Sequence, residues 1–379
     1  MSRTDYDVVV VGVGGMGSAT LYHLARRGAR VCGVEQFTPG HPLGSSHGET
    51  RIIRKAYFEH PDYLPLLERA YQLWREWETE SGERLFVENG LLLAGEENSE
   101  VIRGLEACYA AHDLPHERLS GRDAKSRFPQ FSIPDDFVAY YDPVAGFLYV
   151  ERCVLQLVRL ARAAGAEIFT GEKVVRWSSV KNGLHVRTTR KEIRTKKLII
   201  TAGAWSTELL KRLHLPLEVW RKVVLWYDSP NISDYRLGVF PTFYVETEAG
   251  GFYGFPAVDE LGVKIGEHVQ ARLTEPERIA RELLPGDEDP TRRFIEQTFP
   301  GFQPKRTRFS VCMYTMTPDH NFVIDSCPGE PDVLFAAGFS GHGFKFAPVV
   351  GEVLADLALT RATGHPVAFL GLDRLRGQP

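Results

Sequence analysis

The first apolar run of the chain, Tyr6-Asp-Val-Val-Val-Val11, is β-branched or aromatic at every position but Asp7, and it predicts a buried strand. Over 17–27 the apolar positions take up helical spacing, and Gly28 closes the pattern. A second short strand is predicted at 30–34. Strand, glycine turn, helix and strand within about 30 residues match the length of a nucleotide-fold βαβ unit. The next stretch, 35–60, has little periodicity of either kind and is rich in Gly, Pro, Ser and His. Such a long irregular segment inside a compact domain points to function.

Helical spacing returns at 61–82, 97–112 and 150–164. Short strands recur across 166–201, with Asn182-Gly183 as a hairpin turn. The last of them runs into Ala202-Gly203-Ala204-Trp205 and a helix. From 219 to 315 strand patterns dominate, at 221–227, 242–247, 251–255, 262–268 and 308–315, with a helical pattern near 274–284. The end returns to a strand at 333–337, a glycine loop at 338–343 and a helix at 346–359. Nucleotide-type βα units thus sit at the start, middle and end, with a β-rich insert between them. The expected fold class is mixed α/β: a Rossmann-like nucleotide-binding domain plus a β-rich domain, both discontinuous in sequence. The boundaries read as 1–84, 145–218 and 317–379 for the first, and 85–144 and 219–316 for the second. No repeat or low-complexity tract interrupts them.

Length and composition agree with this division. A chain of 379 residues allows two or three domains. With 43% hydrophobic and 25% charged residues it is not a disordered or fibrous chain. Its 45 basic and 49 acidic residues leave a net charge of −4, so no global basic field points to nucleic acid. No apolar run reaches the ~18 residues of a membrane span. Asp5 and Asp7, ahead of the valine stretch 8–11, do not match a secretory signal. Gly377-Gln378-Pro379 matches no peroxisomal or retention tripeptide. Five irregularly spaced cysteines, Cys32, Cys108, Cys153, Cys312 and Cys327, suggest neither a disulfide framework nor a metal site. The expectation is a soluble, cytoplasmic protein.

Gly12-Val13-Gly14-Gly15-Met16-Gly17 is a G-x-G-x-x-G between a predicted strand and a predicted helix, the context that gives the motif meaning. Gly12 permits the tight turn, Gly14 lets backbone approach a pyrophosphate, and Gly17 lets helix and strand pack closely. The helix N-terminus offers positive potential to phosphates. Glu35, ending the second strand, can accept hydrogen bonds from ribose hydroxyls. The motif does not separate NAD from FAD.

Further blocks follow in order: Gly44-Ser-Ser-His47-Gly-Glu-Thr-Arg51-Ile-Ile-Arg54, Tyr253-Gly-Phe-Pro256, Gly262-Val-Lys264-Ile-Gly266-Glu-His268, Cys312-Met-Tyr314-Thr-Met-Thr-Pro-Asp319 and Gly338-Phe-Ser-Gly-His-Gly-Phe-Lys345. Together with the glycine motif they resemble the monomeric sarcosine oxidase and N-methyltryptophan oxidase family, flavoenzymes of amine oxidation. The resemblance runs over essentially the whole chain, and the Cys312 and Lys345 blocks are its most specific parts.

The resemblance implies FAD held by a thioether from Cys312, for which a thiolate is the nucleophile. Read by itself, Cys312 on a strand-like run is a small buried hydrophobe, as are the other four cysteines. Strand alternation puts Lys264, Gly266 and His268 on one face, with open space at Gly266 between a cation and an imidazole. By resemblance Lys264 sits near the flavin and promotes the reaction with O2, where a fixed cation stabilises developing negative charge. Arg54 grips the substrate carboxylate with its planar fork, and Lys345 is the second cation. His47 and Arg51 flank the flavin. Gln36, Ser46, Thr50, Val174, Gly203, Trp205, Met313, Gly338, Gly341 and Gly343 complete the expected cofactor surroundings. The glycines of the last block also precede a helix whose N-terminus favours negative charge, with Pro348 in its first turn.

By the same resemblance Tyr253 and Tyr314 are expected to form an aromatic wall. Sarcosine oxidases tend to carry Met where this chain has Tyr244, and Ser46 stands where the family often has a histidine. Tyr244 either lines the pocket, favouring bulkier substrates, or packs into the β-rich core. It lies nine residues before Tyr253, so the two share a face only if a turn at Gly250-Gly251 resets the register. The expected function is FAD-dependent oxidative demethylation of sarcosine or larger N-methyl amino acids. It yields formaldehyde, the primary amino acid and hydrogen peroxide, on a monomer whose partners are a small amine and O2, with no nucleic acid or membrane. The alternatives are an oxidase or dehydrogenase for cyclic or glycated amino acids, and a non-catalytic nucleotide-binding redox sensor.

Overall fold

The structure, a computed structural model, describes residues 5–268 and 272–375. The C-terminal tripeptide read above lies outside the described residues. Five strands form a parallel array in the order Glu167–Phe169, Val31–Val34, Tyr6–Val11, Glu192–Ile200 and Glu330–Ala337. The hairpin of Val174–Val180 and Gly183–Thr188 extends this sheet on Glu192–Ile200, and Val323–Cys327 pairs with Glu330–Ala337. The first strand shows why its run is continuous. Val8 and Val10 enter the core under the helices, while Val9 and Val11 enter a second core on the other face. A parallel strand covered on both sides has no polar face to keep.

Helices Gly15–Arg26, Val150–Ala163 and Ala347–Thr360 pack on one face of this sheet, with Leu64–Ser81 outside them. The first starts two residues before the expected point. A Cβ on Gly17 would lie 1.8 Å from the Gly12 carbonyl oxygen, so only glycine lets the first turn lie on the strand end. Gly12 itself sits at φ +86°.

A second sheet holds nine strands. Its main path runs Arg272–Thr274, Glu218–Asp228, Val263–Glu267, Gly250–Phe255, Thr242–Thr247, Leu91–Glu96, Phe137–Asp142 and Glu117–Ser120, and Lys305–Met316 pairs with Glu218–Asp228. Its outer face packs on a phenylalanine core of Phe131, Phe240, Phe243, Phe294 and Phe299. Its inner face carries Trp226, Tyr244, Tyr253 and Phe255. A small sheet of Thr50–Ile53, Gly146–Tyr149 and Phe86–Glu88 lies apart from both.

Several expectations need correction. No helix forms over 274–284. Pro276 and Pro285 bracket it, and Arg221 takes the Ala280 and Glu282 carbonyls at 2.9 and 2.8 Å, so they are not spent on helical bonds. The helix comes later, at Asp289–Thr298. The irregular stretch 35–60 contains the strand Thr50–Ile53. The first hairpin turns at Lys181-Asn182 and the second at Glu248-Ala249, each ahead of its glycine. The second turn still puts Tyr244 directly opposite Tyr253, on one face.

Candidate active site

A cavity of about 230 Å³ lies between the two large sheets. Val11, Val34, Thr201 and Gly338 bring the C-terminal ends of four parallel strands to it, the place where open α/β sheets bind ligands. Gly12, Gly14, Gly15 and Met16 line this side. The helix Gly15–Arg26 has no side-chain cap and no acid in its first turn, so nothing of its own competes for an anion there. Ser46 touches that turn, its Oγ accepting from Gly15 N at 3.2 Å. Val13 and Gly17 turn away from the cavity and serve the turn itself.

Glu35 and Gln36 reach the cavity rim. One Glu35 oxygen accepts from Val13 N at 2.8 Å and the other from Phe37 N at 3.0 Å. Burial opposes its charge, but His41 and these amides outweigh burial and hold the carboxyl below its ordinary range. A carboxylate accepts about four hydrogen bonds, so capacity for ribose hydroxyls remains. Val174, Gly203 and Trp205 continue the lining, and Met313 with Gly338, Gly341, Gly343 and Lys345 closes the far end. The second helix expected there starts as foreseen, with Pro348 in its first turn and again no acid. Uncapped helix starts, a glycine cradle and a rim carboxylate together fit a dinucleotide.

On the opposite wall stand Tyr244, Tyr253, Tyr314, His268 and Arg54. The three tyrosine rings surround His268 at centroid distances of 6.0, 6.3 and 5.7 Å. Burial, with Lys222 and His342 nearby, pushes the His268 imidazole down to about 3, so it is neutral. The space expected at Gly266 is not open: the Tyr253 ring fills it, and a Cβ there would lie 2.7 Å from the Tyr253 hydroxyl.

Arg54 is already paired. Its Nη2 donates to both oxygens of Glu59, at 2.8 and 2.7 Å, and its guanidinium lies over Phe58 and Tyr57. Burial pushes the Glu59 carboxyl up, but Arg54, His342 and Lys345 together outweigh it and hold the group at about 2. Lys345 is buried and donates to the His342 carbonyl at 2.7 Å. Burial and then Arg54 bring its ammonium down to about 7. His342 accepts from the Tyr57 hydroxyl through Nδ1, and its Nε2 lies 2.9 Å from the His320 carbonyl. Glu59, Phe58 and His342 line the cavity and were not foreseen. The signal for Glu59 was an acid five residues after Arg54 in the same irregular stretch.

Arg51 reaches the cavity, and four expected residues around it, Cys312, His47, Lys264 and Thr50, stand behind the lining. Cys312 is buried, with Arg51 Nη2 at 3.4 Å from its sulfur, while Arg51 also donates to Ser45 O and Thr50 O. His47 is held by Gly44 O and Ser310 Oγ, and burial beside Arg51 lowers its imidazole to about 3. Lys264 is 1% exposed, and its Nζ donates to Gly48 O, Thr50 O and Thr50 Oγ1 at 2.5, 2.7 and 3.1 Å. Thr50 therefore faces Lys264 rather than the cavity. Cys32, Cys108, Cys153 and Cys327 are buried free thiols, as expected.

Comparison with known proteins agrees with this architecture. The family described as "FAD dependent oxidoreductase" matches residues 7–357. The chain is 39% identical over 377 residues to a monomeric sarcosine oxidase of Bacillus sp. (strain NS-129), covering 98% of this chain and 97% of that protein. It is 34% identical to an N-methyl-L-tryptophan oxidase of Yersinia pestis (strain Pestoides F), over 98% and 100%. Among solved structures, a Tyr258Phe mutant of NikD, described as an unusual amino acid oxidase, superposes with a TM-score of 0.87 at 26% identity over 97% of each chain. Among the described residues no helix is long and apolar enough to cross a membrane. A dinucleotide cradle facing a cationic and aromatic wall, in a chain with these relatives, is a flavin-dependent amine-oxidising architecture, and the chain belongs to the FAD dependent oxidoreductase family.

Proposed function

We propose that this chain demethylates N-methyl amino acids oxidatively, giving formaldehyde, the primary amino acid and hydrogen peroxide. The observation that carries the reading is the pair Arg54 and Lys345, two buried cations beside Glu59 in a part of the cavity otherwise lined by aromatic rings and neutral imidazoles. Buried charge costs free energy unless it meets an opposite charge. In the present arrangement Glu59 meets it, and a substrate carboxylate takes the place of Glu59 on Arg54. The uncharged wall then faces the amine, which reacts as the free base because an ammonium has no lone pair to drive hydride loss.

FAD, when bound, supplies the two-electron acceptor and passes the electrons to O2. Cys312 is assigned the thioether to it, with Arg51 as the cation beside the sulfur. Lys264 is assigned the stabilisation of charge on reducing oxygen. The parallel sheet with its helices forms the FAD domain (1–84, 145–218, 317–379), and the nine-stranded sheet forms the substrate domain (85–144, 219–316). The enzyme works as a cytoplasmic monomer. Tyr244 in the wall favours substrates bulkier than sarcosine.

A peroxide assay across sarcosine, larger N-methyl amino acids and glycated amino acids tests the reading. Turnover confined to glycated or cyclic amines would overturn it. Acid precipitation tests the attachment: yellow colour stays with the parent pellet and leaves the Cys312→Ser pellet. Flavin released from the parent would exclude the thioether and leave FAD binding intact.

A further inference from the structure

The turn at Gly48-Glu49 is held in a conformation that Glu49 does not favour. Gly48 has φ +83° and Glu49 φ +74°, so a full side chain sits in left-handed backbone. Such strain persists only where surroundings impose it. Two clamps do so. The Glu151 carboxylate accepts from Gly48 N at 2.7 Å and from Glu49 N at 3.0 Å. Lys264 Nζ takes the carbonyls on either side of Glu49, those of Gly48 and Thr50. The Glu49 carboxylate accepts from Trp226 Nε1 at 2.8 Å. Trp226 is the direct strand partner of Lys264, and its ring lies 5.5 Å from Nζ.

A buried ammonium needs an anion nearby. Arg51 repels Lys264, and the groups that favour its charge are Glu49, Glu151 and the Cys312 sulfur. His47 is neutral, and Phe255 and Trp226 contribute only ring faces. Glu151 is occupied by the two amides. Burial pushes the Glu49 carboxyl up and Asp259, which shares a hydrogen bond with it, adds to that, while the Trp226 indole and Lys264 favour its charge; Arg308 lies over the far partner, the Trp226 ring. Asp259 is exposed.

We propose that Glu49 is a positioning residue for Lys264: its left-handed backbone aims the carbonyls on either side of it at the ammonium, and its carboxylate, anchored on the Trp226 indole that flanks Nζ, supplies counter-charge. The inference rests on the reading of Lys264 as the cation that assists oxygen reduction.

The test uses purified holoenzyme and two readouts, the rate of reoxidation by O2 against pH and thermal stability against pH. With Glu49→Gln, Lys264 sheds its proton earlier, and the alkaline fall in reoxidation moves down by about one pH unit or more. Asp259→Asn, a surface change, lets Glu49 ionise more fully and moves the fall upward. The Lys264 ammonium already lies below its ordinary value through burial, so the unfolded chain binds more protons in that window and stability rises with pH there. Glu49→Gln extends that rise to lower pH, and the extension vanishes in a Lys264→Met background. An alkaline limb unmoved by both Glu49→Gln and Asp259→Asn overturns the proposal. An equal shift in the Lys264→Met background also overturns it, since another group then titrates. If Lys264→Met leaves reoxidation unchanged, the role of Lys264 fails. The stability slopes then decide alone, and identical slopes in parent and Glu49→Gln overturn the coupling.

Discussion

One wall of the cavity is made of backbone and the other of side chains. Around 12–17 the ligand-facing groups are amides, aimed by a positive φ at Gly12 and by the close approach of Gly17 to its carbonyl. Opposite them, Arg54, Glu59, Tyr244, His268, Tyr314 and Lys345 come from separated stretches and set one another's charge. Glu59 is held at about 2 by Arg54, His342 and Lys345, while burial leaves Lys345 at about 7 and His268 at about 3. The cradle therefore has one working state, fixed by sterics. The amine-facing wall has a charge pattern that ligand and pH can shift.

This contrast breaks most sharply at the cradle. Gly17→Ala forces a methyl against the Gly12 carbonyl, and overpacking against backbone costs ~1–3 kcal/mol or more. The expected outcome is loss of bound flavin together with a lowered Tm. Retention of both would mean the turn relaxes and the cradle is less rigid than its geometry implies.

On the other wall the expected effect is selective. Arg54→Ala removes a charge-assisted fork and should weaken carboxylate substrates by ~1.5–3 kcal/mol. An N-methylamine without a carboxylate should lose little, and flavin content should not change. Equal losses for both substrates would place Arg54 in folding instead.

A smaller effect sharpens the charge argument. Lys345 loses its proton as pH rises through about 7, so affinity for a carboxylate inhibitor should fall across that range. A pair with a partly buried carboxylate is worth ~1–2 kcal/mol, roughly fivefold to thirtyfold in Kd. Glu59, ionised down to about 2, adds no slope of its own at neutral pH. Equilibrium titrations of a carboxylate inhibitor in the parent and in Lys345→Gln would show the slope in the parent alone. A slope that survives the substitution would assign it elsewhere.

The smallest effect concerns Tyr244. Its ring lies in the wall, 6.0 Å from Phe58 and directly across from Tyr253. Aromatic stacking adds ~0.5–1.5 kcal/mol beyond area burial. Tyr244→Met should therefore move kcat/KM toward sarcosine and away from N-methyl-phenylalanine by roughly threefold to tenfold. An unmoved ratio would make Tyr244 a core residue that merely reaches the surface of the cavity.

The glycine turn, the flanking strand and helix and the rim acid Glu35 were readable because each is a local pattern with a period or a fixed spacing. Cys312 and Lys264 were also found. Their surroundings were not, because the sulfur meets Arg51 from 261 positions away in the chain, and Lys264 meets a loop more than 200 residues earlier. The false helix near 274–284 has the same origin. Its apolar spacing was real, but Arg221, distant in sequence, captured the carbonyls that the helix needed.

By itself the sequence determined that a strand, a close-packed glycine turn and a helix would make a nucleotide cradle, since these follow from sterics among near neighbours. Only the tertiary structure decided the electrostatics of the facing wall. It placed Glu59 on Arg54, filled the gap at Gly266 with Tyr253 and buried Lys264 behind the 48–50 turn. Charge states depend on burial and on partners brought together across the chain, and no local spacing encodes either.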